Sequence, residues 1–495
     1  MRSLLRLHKI FWAFGRRNLF VAVYLDVYRR SLTSRSCSCE EDDRLRGRAK
    51  RLRAAFEELG PTFIKLGQIL ARRDDIFPPP YIEELSGLQE HVRPVPFDQI
   101  ERTLAMKCIC ADMAQPGHPT DPKCFHCNRV EEVFESFDRA PLATASLAQI
   151  HRAKLDGREV AIKLLKPRVL DQINLDLGIL WRFRHLMLKV IGMGRSVNAN
   201  DFHAELKRSL QMEVDLKAEG LHMTIFRRQN EPEATAPEVF WGFKRDDVLV
   251  MEFIDGAPLW DAGTPDNSRI STPDTSPELG GQGGVDQKAL APRLAHNFLR
   301  QVFLNNLFHA DPHPGNVFLR GSEIVYLDMG AMGRMDRQTR EPLQAMFYAV
   351  AQGDVEGAAD ALLELGHTKG VDRSALLTDV GLIVASYGAA TGERWSDRIL
   401  DTARTHQIRL PRSVILLSKA LVLIESLALR LDPSFSLDAV MREFLPELSA
   451  KHLKESAKEA RHIAKKYIDL LERLPSMVES AVLNQGHGAP TEAAS

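Results

Sequence analysis

The chain has almost no net charge: 65 lysines and arginines stand against 66 aspartates and glutamates in 495 residues, with a sequence pI near 7.0. Such a balance argues against the basic surface from which nucleic-acid binders draw their affinity, so no nucleic acid is expected as a partner. Cysteine is scarce as well, and the six present stand close together in sequence at Cys37, Cys39, Cys108, Cys110, Cys124 and Cys127. A disulfide framework is not expected, and a reducing, cytoplasmic setting is. A long apolar run is also missing. The N-terminal apolar residues are broken by Arg16 and Arg17 and no small-residue cleavage site follows, which speaks against a secretory leader. The most apolar later stretch, Val414 to Leu431, is interrupted by Lys419, Glu425 and Arg430. That is the pattern of a buried or amphipathic helix and not of a bilayer span.

What is present begins with His309-Ala310-Asp311-Pro312-His313-Pro314-Gly315-Asn316, followed by Asp328-Met329-Gly330. An aspartate, an asparagine five residues on and a second aspartate beyond a strand pair form the layout of a kinase-type phosphoryl-transfer site. Asp311 is the candidate to face an attacking hydroxyl or water. Asn316 and Asp328 are candidate magnesium ligands, because both offer hard oxygens. Val317–Leu319 and Ile324–Leu327 flank Arg320-Gly321-Ser322-Glu323, which predicts a hairpin carrying Asp328 out at its end. His309 is expected to brace the loop, and His313 either to contact phosphate or to pack, with packing favoured.

The nucleotide half is predicted upstream. In Val160-Ala161-Ile162-Lys163, strand alternation puts Lys163 on the face of Ala161 and Leu165, where it can grip the α- and β-phosphates of ATP. Asp156-Gly157 is a favoured two-residue turn between the strands around it. A lysine so placed needs a carboxylate partner, and a helical stretch over roughly 200–228 offers Glu213, Asp215 and Glu219. Asp215 and Glu219 share a face while Glu213 lies well around the helix, so two lysines can be served. The place of a glycine-rich loop is taken by Pro141-Leu142-Ala143-Thr144-Ala145-Ser146-Leu147-Ala148-Gln149, which contains no glycine. Alanine restricts the close backbone approach and positive φ that glycine permits, so phosphate must be met differently. Ala143, Thr144, Ala145, Ser146, Lys163 and Glu252 form the candidate nucleotide-binding set.

The expected organisation is a basic amphipathic helical segment at 1–58 and an extension with a cysteine-rich insertion at 59–135. A β-rich N-lobe follows at 136–256, a disordered insertion at 257–287, a helical C-lobe at 288–450 and a helical, then disordered, tail at 451–495. Residues 1–35 mix basic and aromatic side chains, which suits either an anionic membrane surface or a helix docked on the body. Cys108, Cys110, Cys124 and Cys127 are candidate ligands for a structural Zn2+, or incidental thiols in a variable loop.

These motifs resemble the UbiB (AarF-domain, ABC1-type) family of atypical protein-kinase-like proteins. Lys65-Leu66-Gly67-Gln68 matches its Lys-x-Gly-Gln element and residues 143–149 its alanine-rich loop. Glu213-Val214-Asp215 matches its Glu-x-Asp element, and the stretches at 309–316 and 328–330 match its catalytic and metal motifs. The resemblance implies an α+β, bilobal protein-kinase-like fold with an N-terminal helical extension. It implies that Glu219 pairs with Lys163 and that Lys65 and Gln68 sit over the active site, with Lys65 facing Glu213 and Asp215. It further implies ATP and Mg2+ as cofactors, ATPase activity, and a role in ubiquinone synthesis or isoprenoid-lipid handling. A lipid or quinone-precursor ligand, quinone-biosynthesis proteins and a peripheral membrane surface are the partners implied. The absence of a long activation segment or an Ala-Pro-Glu element after Asp328 points away from phosphorylation of proteins in trans. Two other readings stay open, a small-molecule phosphotransferase and a non-catalytic nucleotide-gated scaffold.

Overall fold

The computed structural model describes residues 2–19, 22–23, 25–26, 39–71, 77–88, 94–106, 133–190, 198–242, 246–261, 286–368, 370–386 and 395–451. The chain divides into two compact units, one made of Met1–Ala262 with Pro314–Met332 and the other of Gly263–His313 with Gly333–Ser495. The stretch 309–316 is thereby shared, with residues 309–313 in the second unit and 314–316 in the first. Cys108, Cys110, Cys124 and Cys127, the insertion at 262–285 and the tail at 452–495 lie outside the described residues.

The first unit opens with helices α1 (Arg2–Gly15), α2 (Cys39–Leu59), α3 (Pro61–Leu70), α4 (Pro79–Ser86) and α5 (Phe97–Met106). Helix α2 buries Leu45, Ala49, Leu52, Phe56 and Leu59, a single stripe at helical spacing despite its many charges. Gly60, at φ 92°, turns the chain before Pro61 starts α3, as suits proline in a first turn. Helix α1 docks through Arg6, which donates to Asp176 at 2.6 Å and 2.7 Å and to the Leu59 carbonyl. The opposite side of α1 leaves Leu4, Leu5, Phe11 and Trp12 exposed. The contacts of Arg6 bear on the docked-helix reading of this segment.

Strands β1 (Ser136–Phe137), β2 (Ala143–Thr144), β3 (Ala148–Leu155), β4 (Arg158–Leu165) and β6 (Val248–Glu252) make an antiparallel sheet in the order β1-β3-β4-β6, with β2 also on β3. Asp156 and Gly157, at φ 49° and 76°, form the turn between β3 and β4, the positive-φ geometry their sequence predicts. Val160, Ile162 and Leu164 are buried together with Ile100, Phe134, Val248 and Val250. This leaves Lys163 on the other face. A second sheet runs β5 (Ala234–Thr235), β10 (Glu323–Tyr326), β9 (Val317–Arg320), β7 (Ala257–Pro258). Its β9–β10 hairpin turns at Gly321 (φ 61°), and its buried Tyr326 meets Phe226 at 5.1 Å between ring centroids.

Helix α6 (Val169–Val190) follows the first sheet. The single helix expected over 200–228 is two, α7 (Ala199–Val214) and α8 (Leu216–Asn230). Asp215 leaves helical geometry at ψ 77° and its carboxylate accepts the Ala218 N–H at 2.9 Å. Aspartate is a poor helix-interior residue and a strong N-cap, which is why the break falls there.

The second unit holds α9 (Gln287–Phe303), strand β8 (Leu307–His309), α10 (Arg337–Gln352), α11 (Val355–Leu365), α12 (Arg373–Ser386), α13 (Trp395–Thr405) and α14 (Arg412–Leu431). Asp286, Asp336 and Asp354 cap α9, α10 and α11 through their carboxylates, and Gly353 ends α10 in the left-handed region. Leu299, Val302 and Phe303 of α9 and Leu417 and Leu421 of α14 are buried in the core.

Gly67 sits where a Cβ would overlap the side chains of Leu88 and Phe56. Gly178 in α6 faces open space. Alanine is the better helix former by about 1 kcal/mol. We therefore expect Gly178→Ala to stabilise the chain by up to about 1 kcal/mol. Gly67→Ala should destabilise it by about 1–3 kcal/mol through overpacking. Urea unfolding of both variants checks the sign of each change, and a stabilised Gly67→Ala would contradict the packing described.

Candidate functional site

Lys163 leaves the middle of β4 on the face opposite the sheet's core, and its side chain is only 11% exposed. Its ammonium donates to Glu219 Oε1 at 2.6 Å and to Asp328 Oδ2 at 3.3 Å. Glu219 is in the first turn of α8 and is 3% exposed, and Gly220 lets that helix close on Leu249 and Trp241. Burial is the largest influence on both groups. It pushes the Glu219 carboxyl up to about 7, with Lys163 opposing and Asp328 reinforcing the rise. Burial favours a neutral Lys163, but Asp328 and Glu219 overcome it and hold the ammonium charged above its ordinary range. One ammonium thus keeps two carboxylates together in a desolvated place.

The metal-side residues stand at one end of the β9–β10 hairpin. Asn316 immediately precedes β9, Asp328 follows β10, and the Leu327 N–H donates to the Asn316 carbonyl at 2.9 Å. Asp328 Oδ1 accepts the Gly330 N–H at 2.8 Å, while its side chain stays 45% exposed. His222, one turn beyond Glu219 on α8, hydrogen-bonds through Nδ1 to the Met329 carbonyl at 3.1 Å. Among the described residues there is no group of three His, Cys, Asp or Glu side chains that could hold a metal ion. An amide oxygen and one exposed carboxylate instead fit Mg2+, which takes few protein ligands and completes its shell with phosphate and water.

The alanine-rich loop is a tight turn whose backbone is occupied from within. The Ala145 N–H donates to the Ala148 carbonyl at 2.9 Å, and the Ala145 carbonyl accepts from Lys166 Nζ at 2.7 Å. Lys166 is buried, which brings its pKa down to about 8. Ala143 and Thr144 form β2, and Ser146 is half-buried in the turn. With the Ala145 N–H already bonded, this loop differs from a glycine-rich loop that offers its amides to phosphate.

In the extension, Lys65 pairs with Glu213 at the end of α7. Asp215, expected to face Lys65, caps α8 through its carboxylate. Gln68 donates to the Leu88 carbonyl at 3.0 Å, so its amide, like the tight contact at Gly67, fastens α3 to the turn after α4. The Glu252 carboxylate is taken by Arg320 at 2.6 Å, Arg227 at 3.1 Å and the Glu238 N–H at 3.1 Å. Burial would raise its pKa, but the Glu238 N–H and then the Arg320 and Arg227 charges bring it below the ordinary range. A nucleotide contact at Glu252 is left to its backbone.

Asp311 belongs to the second unit. A chain of hydrogen bonds sets its loop: Gln301 Nε2 donates to Asn297 Oδ1 at 2.7 Å, the His309 N–H donates to Gln301 Oε1 at 3.1 Å, and the Asp311 N–H donates to His309 Nδ1 at 3.1 Å. Gln301 and His309 are fully buried. His309 braces the loop as its position predicts, with Nδ1 unprotonated. His313 is exposed, in place of the packing favoured for it. Lys419 of α14 donates to Asp311 Oδ1 at 2.8 Å. Sequence reasoning missed His222, Lys166 and Lys419. Only Lys419 left a signal, as a charge inside an apolar helical run.

Comparison with known proteins matches residues 125–362 to the ABC1 atypical kinase-like domain and residues 397–436 to the UbiB helical domain. A chain from Pseudomonas paraeruginosa, named a probable protein kinase UbiB, is 30% identical over 86% of this chain and 78% of its own length. A similarly named chain from Marinobacter nauticus is 29% identical over 90% of this chain and 78% of its own. An uncharacterized protein from the hydrogenase 1 5′ region of Clostridium pasteurianum is 30% identical over 81% of this chain and 71% of its own. A solved chain, Rv3197 of Mycobacterium tuberculosis in complex with erythromycin, aligns at TM-score 0.48 and 21% identity over 82% of this chain and 98% of that one.

The raised Glu219 carboxyl has a measurable consequence. Between its ordinary value of 4.5 and about 7, the folded chain keeps a proton that the unfolded chain releases. Its contribution to stability is therefore full below about 4.5 and is lost as pH rises through about 7. The stability of wild type relative to Glu219→Gln, from urea unfolding, should fall across that window. A difference that does not change with pH would mean Glu219 is ionised throughout.

Proposed function

The chain belongs to the ABC1/UbiB family of atypical kinase-like proteins, and from that membership we propose that it binds Mg–ATP and hydrolyses it in support of ubiquinone synthesis or isoprenoid-lipid homeostasis. The observation that carries the ATP reading is the buried Lys163–Glu219 pair with Asp328 beside it. In this reading Lys163 takes the α- and β-phosphates, held in place by Glu219. Asn316 and Asp328 hold Mg2+, which offsets charge on the triphosphate when bound. Asp311, five residues before Asn316 in the chain, positions the nucleophile.

Two observations favour turnover over protein phosphorylation. Helix α10 starts at Arg337, directly after the Asp328–Asp336 stretch, which leaves no length for a peptide platform. The extension is also fastened to α7 by Lys65 and Glu213, a fixed attachment for the element expected to cover the site. A lipid surface is supported by α1, whose exposed Leu4, Leu5, Phe11 and Trp12 share a segment with basic residues. Among the described residues no helix is long and apolar enough to cross a membrane.

The test is ATP turnover with and without anionic liposomes and phenolic quinone precursors. Asp328→Asn should lower kcat by about 100-fold or more, as loss of a charge-stabilising group does. An Asp328→Asn variant as fast as wild type would sink the assignment, and stoichiometric phosphate transfer to the phenol would replace hydrolysis with small-molecule phosphotransfer. Sedimentation with the same liposomes should recover wild type and lose a Leu5→Glu, Trp12→Glu variant that keeps its liposome-free turnover. Equal recovery of both would remove α1 as the contact.

A further inference from the structure

Helix α14 is buried along Val414, Leu417, Ala420, Leu421, Ile424 and Leu427, and Lys419 interrupts that apolar pattern. Its ammonium lies 2.8 Å from Asp311 Oδ1, across 108 residues of sequence. Both side chains remain about one-third exposed, at 35% and 37%. An ion pair that open to water contributes little to folding, so stability does not account for a lysine at this place. The loop has no lysine or arginine between Asp311 and Asn316, where the residues are Pro312, His313, Pro314 and Gly315.

The geometry divides the control of Asp311 between two sources. Its backbone is held by the loop, with the N–H on His309 Nδ1 and the carbonyl accepting the His313 N–H at 2.8 Å. Its carboxylate is held by Lys419, which occupies Oδ1. Among the described residues, Oδ2 has no hydrogen-bonding partner. The titratable groups around the carboxylate are Lys419, His313 and His309. Burial alone would raise its pKa, but these three hold it below the ordinary range, Lys419 the most strongly.

We propose that Lys419 is a positioning residue for phosphoryl transfer: by holding Oδ1 it fixes the Asp311 carboxylate so that Oδ2 receives the hydrogen bond of the attacking water. The inference rests on the ATP-hydrolysis reading. In the step it serves, a water oxygen forms a bond to the γ-phosphorus and the bond from that phosphorus to the β,γ-bridging oxygen breaks. ADP leaves with the electron pair, and a water proton passes to Oδ2. The cation that orients the base therefore comes from the helical region matched at 397–436, not from the loop.

The experiment compares ATP turnover by wild type, Lys419→Met, Lys419→Arg, Asp311→Asn and the Asp311→Asn, Lys419→Met double variant across the acid and neutral pH range. Lys419→Met should lower kcat by about 10- to 100-fold, as misorientation of a catalytic group does, with KM for ATP changed far less. The acid limb of its kcat profile should move to higher pH, because Asp311 has lost the ammonium that keeps it ionised. Lys419→Arg should restore most of kcat and the wild-type limb, and the double variant should be no slower than Asp311→Asn alone. Lys419→Gln keeps the test open should the methionine variant not fold. A neutral variant with wild-type kcat and acid limb, or losses that multiply in the double variant, would overturn the proposal while leaving ATP hydrolysis standing. Wild type that binds Mg–ATP without turning it over would overturn the hydrolysis reading and this inference with it.

Discussion

The first unit depends on a single buried ammonium. Lys163 is nearly out of water, with a nearly inaccessible glutamate on one side and Asp328 on the other. Burial, reinforced by the nearby Asp328 charge, raises the Glu219 carboxyl. The lysine offsets it only because three elements agree on position: β4 by its alternation, α8 by its first turn, and the hairpin end by the Gly330 N–H on Asp328. Removing Lys163 leaves the buried Glu219 without its counterpart, which costs far more than an exposed pair contributes. Sheet register, helix start and hairpin length are therefore coupled through one side chain.

The break at Asp215 is what lets one helical region serve two lysines. Glu213 ends α7 and meets Lys65 of the extension, while Glu219 begins α8 and meets Lys163 of the sheet. A continuous helix would fix the angle between these acids by its pitch. Ending one helix and starting another at Asp215 frees that angle. The Asp215 carboxylate is what makes the break stable, since it satisfies the Ala218 N–H, one of the free N–H groups in the first turn of α8. The family motif that contains both acids thus holds one ion-pairing residue and one capping residue.

Much of the first unit was legible because its signals are local. The Asp156-Gly157 turn is specified by its own φ preferences, and Lys163 by strand period. The β9–β10 hairpin follows from the strand-like stretches beside Gly321. The end of α7 was not legible, since neither proline nor glycine stands within four residues of Asp215. The resemblance puts Gln68 over the active site and Glu252 stands in the nucleotide-binding set, and neither expectation carries the side-chain partners found, the Leu88 carbonyl for one and Arg320 and Arg227 for the other. Lys166 was invisible because its partner is a backbone carbonyl, and every residue carries one of those. Polar side chains declare their chemistry in sequence but not their distant partners.

The alanine-rich loop makes the same point in energetic form. Glycine at Ala145 would leave the backbone free to reorganise around phosphate, at an entropic cost before any ligand arrives. Alanine, with both backbone groups of Ala145 bonded inside the unit, removes that freedom. Lys166 is the residue that makes this work. Burial has already lowered its pKa to about 8, so its hydrogen bond to the loop does not depend on full charge, since a neutral amine can still donate. A loop held this way is pre-ordered. Its rigidity is built into the hydrogen bonds of the chain itself.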